Sequence, residues 1–546
     1  MNLYPTRATL HVALAGTVMV AVGVAFHRAP PVAFGGAVLL ALALGRGLSL
    51  LSGTRLRQAG FEMVWSQRSR VVALARGDAV ELKIELRNRG GERVRAAGLR
   101  AIASSYLDVT VSPTELDLPP TSHVTLTLTV VGRRVGRWGI HGVALELRGM
   151  PLGGEGLYEL PLVFSNPFGV EVRPRELAAM LRSPRGGRSG RVTESGRSAR
   201  IRGEGDELRE LRDHVVGDPF KRIAWRASAR RGRLVVREME RQERDVVWVV
   251  LDASVDGWAG IPGAAPLDRA VEEVSAVAAR HLGRGDRVGI VIYASRGRAW
   301  IVPAGGPTQA GLIVGALSGC SSMVDADRGE LDELEVAQRV AEHLRPLARE
   351  HLWEHPTSDL DRLAQLAETV RARAPFEARL PHASSVREKT LRHYLACFGM
   401  EVPPRTAGER ARADSELART LTKLSQQKPR PSIISVWAPA PPAHGLVARC
   451  IRTLRARRVE IRWTLPEVLP SIGTAVGVAG GARDRAVLHS VEEAVRVRVR
   501  AEQTRGTALL RLLGVQPGAR VTRPLPDDRI HVTASDDVLV VPGVET

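Results

Sequence analysis

The pattern of apolar and polar positions divides the chain into three regimes, and the first is continuous. Ala8 to Phe26 is almost uncharged, and after His27-Arg28-Ala29-Pro30-Pro31 a second apolar run extends from Val32 to Leu44. Each run lies near the lower limit of the ~17 to 25 residues a spanning helix needs, and the second reaches full length when Arg46 snorkels toward the headgroups. A transmembrane hairpin is expected over residues 1–58. A signal peptide would show a small-residue cleavage site and then a soluble start, whereas here a second apolar run follows within a few residues. Arg7 precedes the first run, Arg46, Arg55 and Arg57 follow the second, and Arg28 alone lies in the turn. The positive-inside rule then places both termini and the main domains in the cytoplasm, making a two-pass protein of the inner membrane. Its membrane-facing arginines add attraction to anionic lipids.

The second regime has period two. In AVELKIEL, Val80, Leu82, Ile84 and Leu86 alternate with polar positions, and in HVTLTLTV the apolar set is Val124, Leu126, Leu128 and Val130. Alternation puts one face in a core and the other in water. Turn signals at Asn88-Arg89-Gly90-Gly91 and Pro119-Pro120 come at intervals that suit an immunoglobulin-like β-sandwich over residues 59–175. The stretch 176–202, rich in Gly, Ser and Arg, reads as an exposed linker.

The third regime, 203–470, mixes both periods. Leu208, Leu211 and Val215 recur at helical spacing, so a helix is expected up to Gly217-Asp218-Pro219, with Trp225 beginning or preceding an extended segment. Val246 to Leu251 is then an unbroken apolar run of strand length, as in a strand covered on both faces. Leu267, Ala270, Val271, Val274, Val277, Ala278 and Leu282 mark one helix face. Further strands fall at Val288 to Tyr293, Ser432 to Trp437 and Val459 to Leu465, with helices at Gln309 to Leu317 and Leu446 to Leu454. Strands alternating with helices imply a doubly wound, mostly parallel sheet. Apolar spacing in LEVAQRVAEHL, LDRLAQLAETV and SELARTLTKLS predicts a helical insertion near 320–430, and residues 471–546 read as a C-terminal helix and tail.

Composition narrows the function by exclusion. A length of 546 residues exceeds what a single core usually supports. The three cysteines Cys320, Cys397 and Cys450 are far apart, which fits a reducing compartment better than a disulfide framework. The net charge of +19 is nearly all arginine, yet acidic residues are interleaved and aromatics are only 4%, leaving few stacking platforms for nucleic acid. There is no phosphate-binding G-x-x-x-x-G-K-[ST] loop, no G-x-S-x-G elbow and no H-E-x-x-H helix, so no catalytic residues are assigned.

The combination of Arg212, Gly217-Asp218, Arg222, Trp225, Ser228-Ala229-Arg230 and Leu234, followed by a strand ending near Asp252, resembles the domain-of-unknown-function 58 family. Gly132 to Gly139 and Pro167-Phe168-Gly169 also match elements that precede the signature there. The strand order and acidic first loop resemble a von Willebrand factor A-like domain. That resemblance implies a divalent-cation site of the Asp-x-Ser-x-Ser kind, here Mg²⁺ or Mn²⁺, to which Asp252, Ser254, Asp256 and Thr308 would contribute. The set is degenerate: Asp256 stands in place of serine, and SIISVW runs into Ala438-Pro439 where a later aspartate is expected. Asp252 and Thr308 read equally as helix-capping residues. The resemblance further implies a MoxR-type AAA+ ATPase partner, and hence a membrane-anchored adaptor rather than an enzyme. A metal-dependent enzyme using Asp252 and Asp256, and an arginine-rich nucleic-acid binder, are the competing readings.

Overall fold

The computed structural model describes residues 4–59, 61–91, 93–148, 158–182, 197–216, 218–243, 245–258, 263–320, 331–345, 359–378, 380–381, 383–400, 409–442, 445–466 and 482–517. The two apolar runs form helices α1 (Arg7–Ala25) and α2 (Ala29–Ala59), both long and apolar enough to cross a membrane. They pack closely because glycines face each other: a Cβ on Gly35 would sit 2.6 Å from the Gly16 carbonyl oxygen. Before α1, the short strand β1 (Tyr4–Pro5) pairs with β10 (Tyr158–Arg173) of the unit that follows α2. The Tyr158 hydroxyl donates to the Leu42 carbonyl at 2.8 Å, fixing the hairpin to that sheet.

Residues 61–173 form two sheets around one core. Their strands are β2 (Phe61–Trp65), β3 (Val71–Ala75), β4 (Ala79–Asn88), β5 (Val94–Ala103), β6 (Leu107–Ser112), β7 (Leu116–Leu118), β8 (His123–Gly132), β9 (Gly136–Arg148) and β10. One sheet runs β1-β10-β9-β5-β7 with β3 beside β10, and the other runs β2-β4-β8-β6. The period-two pattern explains the packing. Leu82, Ile84 and Leu86 of β4 pair in register with Leu128, Leu126 and Val124 of β8. Their buried face meets Ile140, Val143, Leu145, Phe168 and Val170 of the other sheet. At Asn166-Pro167 the pairing of β10 with β9 shifts register, since proline has no N–H to give the ladder.

The stretch expected to be a linker does not begin as one. Helix α3 (Arg175–Arg182) buries Leu177, whose N–H donates to Ser275 Oγ at 3.1 Å. Residues 183–196 lie outside the described residues. From Arg197 the chain is strand β11 (Arg197–Asp213), paired antiparallel with β12 (Val235–Glu243), so the helix expected through Leu208, Leu211 and Val215 is instead a strand. Three- and four-residue spacing over so short a segment also fits a ladder with register shifts, and β11 has two, at Ala199/Arg202 and Gly203/Leu208, before a third at Leu208/Glu210. Trp225 opens a short helix, α4 (Trp225–Arg231), between the two strands.

The last unit is built on the six-stranded sheet β15-β14-β13-β16-β17-β18. Its strands are β13 (Val246–Asp252), β14 (Arg287–Tyr293), β15 (Gly297–Ala304), β16 (Ile433–Trp437), β17 (Glu460–Thr464) and β18 (Gln516–Pro517). All neighbours are parallel except the β14–β15 edge pair. The helices are α5 (Pro266–Gly283), α6 (Gly306–Cys320), α7 (Glu333–Leu344), α8 (Leu360–Arg371), α9 (Val386–Cys397), α10 (Glu409–Ser425), α11 (Leu446–Ala456) and α12 (Ala482–Leu512). The continuous apolar run of β13 is used on both faces. Val247, Val249 and Leu251 face a core shared with α5 to α9, while Val246, Trp248 and Val250 face one shared with α10 and α11. The helices at 320–430 therefore split: α7 to α9 join the first layer and α10 the second. β18 takes the sheet edge from residues expected to belong to the tail, and residues 518–546 lie outside the described residues.

Candidate functional site

Two places gather the residues singled out by sequence. The first is the tip of the β11–β12 hairpin. Arg212 holds Asp218 bidentately, Nη1 to Oδ2 at 2.8 Å and Nη2 to Oδ1 at 2.6 Å, and the Val215 amide donates to Asp218 Oδ2 at 2.9 Å. The Arg212 guanidinium, followed by the Val215 amide, holds the Asp218 carboxyl down at about 2. Beneath this loop, Ser228 is buried and its Oγ accepts from the Val235 amide at 2.9 Å, while the Ala224 amide donates to the Val235 carbonyl at 2.8 Å. Gly232 closes α4 in the left-handed region at φ 64°, where a Cβ would be strained.

This framework displays apolar side chains instead of covering them. Val216 is 98% exposed, Phe220 76% and Trp225 61%, with Val215 and Leu234 also exposed. Lys221, Arg226, Arg230 and Arg231 are exposed around them. Of the signature residues, Arg212, Asp218 and Ser228 thus build the tip, and Trp225 and Arg230 are presented on it. Gly217 and the Arg222 side chain lie outside the described residues. Phe220 and Val216 are not singled out by the sequence, whose local pattern does not say which apolar residues the fold leaves uncovered.

The second place is the carboxyl edge of the parallel strands. Register brings Asp252 of β13 beside Tyr293 of β14, and Leu251 beside Trp437 of β16. Asp252 and Ser254 are buried, and the Ser254 amide donates to Asp252 Oδ1 at 2.9 Å. The other carboxylate oxygen, Oδ2, accepts from Arg410 Nη1 of α10 at 2.9 Å. Arg410 Nε also donates to Asp414 Oδ1 at 3.1 Å, one helical turn on. Burial opposes the Arg410 charge, but Asp252 and Asp414 outweigh it and raise its pKa. Burial and then the Asp252 charge push the Tyr293 hydroxyl well above its ordinary value.

The divalent-cation set is thus only partly assembled. Thr308 is exposed in the first turn of α6, and among the described residues no hydrogen bond joins it to Asp252 or Ser254. Asp256 follows in the 3₁₀ turn Val255–Trp258, its side chain outside the described residues. Among the described residues no three His, Cys, Asp or Glu side chains gather as a metal site. Sequence gave no sign of Arg410, which lies 158 residues from its partner Asp252.

Residues 210–383 match the family described as "Protein of unknown function DUF58". No curated protein matches the chain. Among solved structures, the PapD-like domain 7 of human CEP192 is 15% identical, with 21% of this chain and 85% of that one covered and a TM-score of 0.16. A part of Escherichia coli alpha-2-macroglobulin from domain MG7 to the C-terminus is 13% identical, with 73% of this chain and 60% of that one covered and a TM-score of 0.17. Likenesses this slight bear no weight on the fold.

Proposed function

We propose that the chain is a membrane-anchored adaptor that docks a partner protein on the tip of the β11–β12 hairpin. The observation that carries this reading is the tip itself: a loop fixed by a bidentate ion pair, displaying Val216, Phe220 and Trp225 to water among exposed basic residues. Leaving such side chains exposed forgoes roughly 25 cal/mol per Å² of apolar surface, and contiguous exposed apolar surface marks interaction sites. Aromatic and arginine side chains on a preorganised support are the residue types that dominate binding energy. In this reading α1 and α2 anchor the chain in the inner membrane with both ends cytoplasmic, the two-sheet unit is an immunoglobulin-like sandwich, and the α/β unit is von Willebrand factor A-like. The partner is a MoxR-type AAA+ ATPase, and the work is chaperone-like or complex assembly.

The test is affinity purification of tagged full-length protein from its native membrane, beside a Phe220→Ser/Trp225→Ala variant. Recovery of a MoxR-type ATPase with the wild type and its loss with the variant are expected. Equal recovery with both chains removes the tip from the reading, and repeated absence of any such ATPase removes the partner.

A further inference from the structure

The crevice at Asp252 has a built-in cation. In the sheet order β14-β13-β16, the chain leaves β13 first toward β14 and later returns to β16 on its other side. Doubly wound sheets receive ligands at the carboxyl ends of the strands where the order reverses in this way. Asp252 ends β13 at that point, with its side chain only 3% exposed. A carboxylate so far from water requires a counter-charge or hydrogen-bond donors.

Both of its oxygens are supplied from within the chain. Oδ1 takes the Ser254 amide and Oδ2 takes Arg410 Nη1. Arg410 reaches the crevice because α10 lies on the β13 face lined by Trp248 and Val250, with Ala413, Leu417 and Leu421 packed into the same core. Asp414 holds the guanidinium from its other side. A magnesium or manganese ion needs several oxygen ligands near octahedral geometry. At this place it would meet a fixed positive charge and a carboxylate already engaged on both oxygens. These residues do not fit a divalent ion.

We propose that the Arg410 guanidinium is the resident cation of this crevice, docking the start of α10 onto Asp252 where a divalent ion would otherwise be held. The crevice then takes up neither Mg²⁺ nor Mn²⁺, and Arg410 is a positioning residue for α10. This inference stands apart from the adaptor reading and fails or survives independently of it.

The deciding experiment uses the full chain in detergent micelles. Mn²⁺ is titrated in while free ion is followed by electron paramagnetic resonance, for the wild type and for Asp252→Asn, and thermal unfolding is recorded with chelator and with millimolar Mg²⁺. The expected result is no Mn²⁺ uptake that depends on Asp252 and no Mg²⁺-dependent shift of the wild-type melting temperature. Arg410→Ala is expected to melt lower than the wild type, and Arg410→Ala combined with Asp252→Asn to recover part of the loss by removing the unpaired carboxylate. Stoichiometric Mn²⁺ uptake by the wild type that Asp252→Asn abolishes would overturn the proposal, as would an Arg410→Ala chain that melts like the wild type. If Arg410→Ala does not accumulate, the wild-type titration still decides.

Discussion

Arg134 of the two-sheet unit and Asp268 of α5 form a bidentate ion pair, Nε to Oδ1 at 2.8 Å and Nη2 to Oδ2 at 3.1 Å, with the side chains 2% and 3% exposed. The guanidinium also lies over the rings of Tyr106, at 4.5 Å, and Trp258, at 5.0 Å. Asp268 accepts the Gly263 and Ala265 amides as well, at 2.8 and 3.2 Å, so its charge is satisfied from three sides. Arg134 projects from the turn between β8 and β9, and the pair therefore fastens the sheets to the α/β unit.

Removing one partner of a buried pair strands the other charge, at a cost of about 3–5 kcal/mol. Arg134→Met keeps the aliphatic bulk under Tyr106 and Trp258 but leaves Asp268 without its cation. We expect a loss of that size in urea unfolding of the full chain. Asp268→Asn should cost a comparable amount, because it strands the buried Arg134 charge and turns an amide NH2 toward an N–H donor. A change within experimental error for Arg134→Met would mean that the amides alone suffice.

The same boundary contains a histidine pair. His343 Nε2 of α7 lies 3.1 Å from His141 Nδ1 of β9, and His343 Nδ1 lies 2.8 Å from the Tyr394 hydroxyl of α9. Burial lowers His141 from 6.5 to about 4, and burial followed by the neighbouring His141 lowers His343 from 6.5 to about 3. The unfolded chain thus binds more protons than the folded one in this window, so stability rises with pH there. The contribution is complete above pH 6.5 and is lost as pH falls through the folded values. Melting temperatures from pH 7 to 4 should show this slope, and His141→Gln with His343→Gln should flatten it.

The α1–α2 hairpin makes a steric prediction. A Cβ on Gly35 would lie 2.6 Å from the Gly16 carbonyl oxygen, and one on Gly23 would lie 2.8 Å from the Val32 amide nitrogen, whereas Gly36 meets nothing within 4 Å. Backbone atoms cannot swing aside as a side chain does, so Gly35→Ala must push α1 and α2 apart. Overpacking of this kind costs about 1–3 kcal/mol. Thermal unfolding in detergent should register it for Gly35→Ala and leave Gly36→Ala at the wild-type value.

The legibility of these features in the sequence depended on how local their causes are. The alternation of Leu82, Ile84 and Leu86 and the unbroken Val246–Leu251 run each report burial on one or two faces, and β4 and β13 follow from them. The β11 segment misled because Leu208, Leu211 and Val215 satisfy a helical spacing, while the partner strand that claims Leu208 and Leu211 begins only at Val235. Pairing across a long loop leaves no trace in local periodicity. Arg410 was invisible for the same reason, since its role is set by a carboxylate on a different strand. The exposure of Phe220 was equally hidden: an apolar residue carries no mark of whether the fold covers it.

Asp218 separates the shape of the hairpin tip from its chemistry. It touches neither Phe220 nor Trp225 in its hydrogen bonding; it ties Arg212 and the Val215 amide into the loop that presents them. Asp218→Ala should therefore leave the melting temperature of the full chain near the wild-type value, because the loop is exposed and contributes little to either core. It should speed limited proteolysis between residues 213 and 221, and it should weaken partner recovery as Trp225→Ala does while every displayed side chain is kept. The pH dependence carries a sign. A carboxyl held at about 2 rather than 3.8 contributes its ion pair fully above pH 3.8 and loses it only as pH falls through the folded value. Proteolysis of the wild-type loop by an acid-tolerant protease should then be no faster at pH 4 than the protease's own activity accounts for. Rapid cleavage of the wild type at that pH, equal to that of Asp218→Ala, would show that Arg212 and Asp218 do not hold the loop.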